Sequence, residues 1–132
     1  MIRLGLCCTF RDQPIKFVTT TATALARTSR ASGLEKLGRL ALANADALGQ
    51  ALQFCSENGI GCFRINSQIL PLKTHPQQGY SIAELPDADE IVSRFRACGA
   101  FAAEHGIRTC FHPDQFVVLN SRKPEVVAAS LQ

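Results

Sequence analysis

Three histidines stand in this chain of 132 residues, and their settings differ. His105 precedes Gly106 at the end of a helical pattern, where an imidazole can meet the last free carbonyls of the helix; that is a structural setting. His75, in PLKTHPQQ, and His112, in TCFHPDQF, both precede proline. Proline biases the residue before it away from helix and stiffens its placement. Two imidazoles converging on one face could bind a divalent metal. On spacing alone, two histidines 37 positions apart are equally unrelated surface or core residues. What joins them is that each lies beside an expected strand end.

Gln115 and Phe116 follow His112 after Pro113 and Asp114. A flat ring can stack on a base and an amide can hydrogen-bond it, a pairing suited to probing nucleic acid. The bland alternative is that Phe116 opens a short apolar segment and Gln115 is solvated. The stretch FRDQPIKFVTTTATALARTSR combines many hydroxyls with Arg11, Lys16, Arg27 and Arg30. Hydroxyls with Arg and Lys are the usual phosphate contacts, so Lys16, Arg27 and Arg30 are candidates for them. A flexible polar loop would have the same composition.

The elements that must position these residues follow from periodicity. An internal echo, ENGIGCFRI (57–65) and EHGIRTCFH (104–112), marks two helix-to-strand junctions. The first helix is expected from Ser32, where Ser32-x-x-Glu35 reads as a capping box, to a stop at Asn58-Gly59. Its apolar stripe is Leu34, Leu37, Ala41, Leu48, Ala51, Leu52 and Cys55. A second is expected from Pro86-Asp87 to Gly106, with Ile91, Phe95, Cys98, Phe101 and Ala102 inward, and a third from Pro124. Strands are expected over 2–8, Cys62–Asn66 and Thr109–His112.

The order β-α-β-α-β-α argues for a parallel α/β sheet with right-handed crossovers. No Gly-rich phosphate fingerprint follows the first strand, which speaks against a nucleotide-binding Rossmann half. The fold class expected is the N-terminal portion, about three β/α units, of a TIM-type (β/α)8 barrel, with residues 1–132 as one partial barrel cut in the helix after the third strand. That fold sets the long connections 9–31 and 67–86 on one face, where function is expected.

Composition limits the partners. With 46% hydrophobic and 19% charged residues the chain is an ordinary globular one, not a disordered one. Through Leu40 there are seven Lys or Arg against Asp12 and Glu35, a balance of +5, so the remainder of the net +3 chain carries −2. A cationic first third suits a polyanionic partner or, equally, a solvated basic face. The six cysteines form no CxxC pair and sit mostly in apolar runs, the start is no signal peptide, and no apolar run reaches the roughly 20 residues of a membrane span. A reducing, cytoplasmic setting without membrane is expected.

MIRLGLCC, FRINSQILPLKTHP and HPDQF, in this order and spacing, closely resemble the N-terminal part of the UV-damage endonucleases, and the resemblance runs from Ile2 to the helix at Pro124. It implies a (β/α)8 barrel that uses a cluster of divalent metal ions, typically manganese, to hydrolyse the phosphodiester 5′ to a pyrimidine photodimer in double-stranded DNA. The metals would generate hydroxide and neutralise charge on the phosphate. By matching motif positions, His75 and His112 would be metal ligands, and Gln115 and Phe116 the pair that probes bases opposite the lesion. The remaining ligands of the family lie on later strands. The fragment alone is therefore expected to be inactive, with the C-terminal part of the barrel as its partner. Asp114 stands where many relatives have Gly, and Leu6 where some have an aromatic residue. The alternatives are a metal-dependent sugar isomerase or epimerase on the same barrel type, needing no base-probing pair, and a non-catalytic DNA-binding remnant.

Overall fold

The structure, a computed structural model, describes residues 3–111 and 119–130. Three parallel strands, β1 (Gly5–Cys7), β2 (Cys62–Ile65) and β3 (Arg108–Phe111), form one sheet in the order β1-β2-β3. Between them run α1 (Ala22–Ala26), α2 (Arg30–Glu57) and α3 (Ala88–Glu104), and α4 (Pro124–Ser130) follows. Gly5, Cys62 and Arg108 lie side by side, as do Leu6, Phe63 and Thr109, then Cys7, Arg64 and Cys110. Successive strands that neighbour one another, with their helices packed together, describe an arc of a barrel. A doubly wound sheet would reverse its strand order. The expected fold class, a partial TIM-type barrel, is what is found.

Side-chain alternation explains the layers. Phe63 and Ile65 are buried toward the helices, in a core with Leu48, Ala51, Leu52, Cys55, Cys98 and Ala102. Cys62 and Arg64 point to the opposite face, the inner face of the arc, and are only half-buried. A second core, built of Leu25, Leu37, Ala41, Tyr80, Leu85 and Ile91, joins the start of α2 to both long connections. Arg94 of α3 ties the two helices at the surface, meeting Asp46 at 2.6 Å and Glu90 at 2.7 Å. All six cysteines are free thiols.

Three local expectations change. The long helix starts at Arg30, not Ser32: Ser29 is the cap, its hydroxyl accepting the Ser32 N–H at 3.2 Å. Ser32 already lies in the first turn, where its N–H is one of the donors needing a cap. A capping box does occur, at Ser81 and Glu84, on a 3-10 turn (Ile82–Glu84) before α3. Strand β1 is shorter than 2–8, covering Gly5–Cys7 beside the four residues of β2. The third difference is inside 9–31, which holds α1, capped by Thr21.

Candidate functional site

The connections leaving the C-terminal ends of β1 and β2 are both folded against α2. In the first, Phe10 stacks on Phe63 and meets Phe54 edge-on, Phe17 also stacks on Phe63, and Ile15 and Leu25 are buried. The stretch is therefore anchored by its apolar residues, not a loose polar loop. Lys16 and Arg27 remain exposed on it. Neither forms an ion pair among the described residues.

The second connection is a chain of tight turns. Lys73 N–H donates to Leu70, His75 N–H to Leu72, Gly79 N–H to His75 and Tyr80 N–H to Lys73, at 2.8–3.3 Å. Leu72 takes a left-handed backbone, φ 57°, which costs a non-glycine residue about 1–2 kcal/mol. Gly79 is required by space: a Cβ there would lie 2.6 Å from the His75 carbonyl oxygen and 2.9 Å from that of Lys73. Two residues of α2 hold the ends of this connection. Near its start, Ile69 is bonded by Asn44, whose amide donates to the Ile69 carbonyl at 3.0 Å. Near its end, Arg30 donates to Gly79 at 3.0 Å and pairs with Glu84 at 2.9 Å. The Ser81 backbone N–H first, and Arg30 second, hold the Glu84 carboxyl below the ordinary carboxylate range. Arg30, a candidate phosphate contact, thus already has its charge matched within the chain.

His75 is half-buried in these turns. Its Nδ1 accepts the backbone N–H of Gln77 at 3.2 Å and of Gln78 at 3.1 Å. Backbone hydrogens are fixed, so Nδ1 presents a lone pair and a neutral ring carries its proton on Nε2. A neutral metal-bound histidine has the opposite arrangement, one nitrogen on the ion and the other donating. Among the described residues no three His, Cys, Asp or Glu side chains gather as a metal-holding group. The described residues as arranged do not fit a metal cluster; His75 becomes a ligand through Nε2 only if the Gln77–Gln78 turn releases Nδ1. His112, Asp114, Gln115 and Phe116 lie outside the described residues.

The remaining residues divide by face. His105 is at the C-terminus of α3, its Nδ1 at 2.9 Å from the Phe101 carbonyl and its ring on that of Phe101, the structural setting expected. Leu6 packs on the core among the helices. On the inner face, Cys62 stands among Cys7, Cys110 and Arg108, and burial first, then Cys110, pushes its thiol up, so it stays protonated at neutral pH. The Nε of Arg64, on the same face, is buried without a partner among the described residues. Asn44, fully buried, was not singled out by sequence reasoning. A signal existed: position 44 continues the stripe 37-41-48 at helical spacing, and a polar residue there demands buried partners.

The fold and this face define the opening arc of a TIM-type barrel with two rigidly built connections at the strand ends. The family model described as UV-endonuclease UvdE matches residues 2–132, and the chain belongs to that family. It is 36% identical over 130 residues to a UV DNA damage endonuclease of Nostoc sp., covering 98% of this chain and 39% of the relative. It is 40% identical over 116 residues to that of Halalkalibacterium halodurans, covering 86% and 34%. The solved structure described as "Crystal Structure of SacUVDE" matches with a TM-score of 0.75 and 29% identity, over 99% of this chain and 42% of that one. The chain thus spans about two-fifths or less of the proteins it matches. No described helix is long and apolar enough to cross a membrane.

Proposed function

We propose that this chain is the N-terminal, duplex-facing part of an endonuclease that acts on UV-damaged double-stranded DNA. The observation that carries the reading is the match of residues 2–132 to the UvdE family, whose relatives are named for UV DNA damage. Two features of the fold support it. The cationic first connection and the His75 connection leave the same end of the sheet, the end at which barrels of this type place their sites. Lys16 and Arg27 are exposed there and form no ion pair among the described residues. In this reading they contact phosphate, Arg30 chiefly braces the neighbouring turn, and Gln115 and Phe116 probe the bases opposite the lesion. A distorted photodimer is weakly stacked and costs less to extrude than a normal base, which gives damage selectivity without a sequence code.

A divalent metal cluster, manganese by resemblance, belongs to the same proposal. By resemblance His75 and His112 would be its ligands in this chain, His75 through Nε2 only once the Gln77–Gln78 turn releases Nδ1.

The test is duplex binding by the purified chain as a function of salt. Lys16→Ala and Arg27→Ala should each weaken binding to every duplex and reduce the salt slope by about 0.9, the share of one phosphate contact. Unchanged affinity and slope in both variants would remove this face as the duplex surface.

A further inference from the structure

Asn44 sits in the middle of α2, fully buried, where helical spacing would otherwise place an apolar side chain. Its amide is almost wholly consumed by backbone. Oδ1 accepts the Val18 N–H at 2.7 Å, and Nδ2 donates to the Val18 carbonyl at 2.9 Å and to the Ile69 carbonyl at 3.0 Å. The orientation of the amide is forced. Turned over, it would set its nitrogen against the Val18 N–H and its oxygen against both carbonyls. One side chain therefore holds both connections: Val18 lies two residues after Lys16, and Ile69 opens the turns that carry His75.

We propose that Asn44 is a positioning residue that locks the β1–α2 and β2–α3 connections into one surface, so that a shift in either is transmitted to the other. Packing alone does not require this chemistry, since an apolar residue of similar volume would fill the site. What such a residue cannot do is satisfy three backbone groups from two different connections. Buried backbone groups left unpaired are costly enough that their segments open instead. The locking stands on these hydrogen bonds. Only its service to duplex recognition rests on the reading proposed above.

Amide hydrogen exchange on the purified chain separates the possibilities. The amides to follow are Val18 in the first connection and Lys73, Gly79 and Tyr80 in the second, with Phe63 and Ile65 of β2 as core references. Asn44→Leu conserves volume and removes all three bonds; Asn44→Ala is its smaller companion should the leucine variant not fold. Exchange should quicken roughly ten- to hundredfold in both connections together, with the core references unchanged. Faster exchange at Val18 alone, or unaltered exchange in both connections, overturns the proposal. Duplex affinity is measured on the same samples. Coupled exchange with no duplex binding by any variant, wild type included, would leave the lock standing and overturn the duplex reading instead.

Discussion

Single residues here are constrained by what their polar atoms can reach. Asn44 and Tyr80 are both buried, yet they face opposite situations. Asn44 finds three backbone partners, whereas the Tyr80 hydroxyl has none among the described residues. Burial pushes the Tyr80 phenol up to about 12. The folded chain then holds that proton more tightly than the unfolded one, where the value is near 10. Stability is therefore independent of this group below about pH 10 and falls as pH rises from there through about 12, because the folded state disfavours the phenolate. Tyr80 is the sole tyrosine in a chain without tryptophan, so absorbance near 295 nm reports it cleanly. The expected titration midpoint is about 12 in the folded chain and near 10 in denaturant; a folded midpoint near 10 would show the ring to be solvated. Tyr80→Phe should be neutral or stabilising by up to about 1 kcal/mol in chemical unfolding, because it deletes a buried hydroxyl that gains nothing. A clear loss of stability would mean that the hydroxyl has a partner.

At the scale of elements, the second connection depends on one glycine. Gly79→Ala drives a methyl into the carbonyl oxygens of His75 and Lys73, which are backbone and cannot swing away. A loss of about 1–3 kcal/mol is expected in denaturant unfolding, as for other overpacked sites. An unchanged midpoint would contradict the described turns. The long elements were legible in the sequence because period and stops agree. The stripe from Leu37 to Cys55 and the Asn58-Gly59 stop define α2 to within two residues, and the acidic turn of Asp89 and Glu90 follows the expected start of α3. Less legible was whatever depends on contacts distant in sequence. The capping-box pattern points to Ser32, whereas the hydroxyl that caps the helix is that of Ser29, one turn earlier. The first connection read as polar, though Phe10, Ile15 and Phe17 fasten it to Phe63 or the core beneath. The ring orientation of His75 is set by two backbone N–H groups in its own turn, a detail that spacing does not carry.

For the whole molecule, the role proposed for the arc is that of a duplex-facing surface. No metal-holding group of three occurs among the described residues, and the chain covers 42% of the matched UVDE structure. Residues 1–132 alone should therefore leave UV-irradiated supercoiled plasmid intact with manganese present; nicking that chelator abolishes and a control preparation lacks would overturn this. The inner face carries Arg64 and three thiols, and an apolar recess of about 470 Å³ lies beside Phe111. The most direct measurement is the affinity of the purified chain for one duplex, with and without UV irradiation, at low and moderate salt. Tighter binding to the irradiated duplex is expected, with the preference lost in Gln115→Ala and Phe116→Ala while general binding persists. Equal affinity for both duplexes, falling together with salt, would reduce the surface to simple electrostatics and contradict its role in recognising damage.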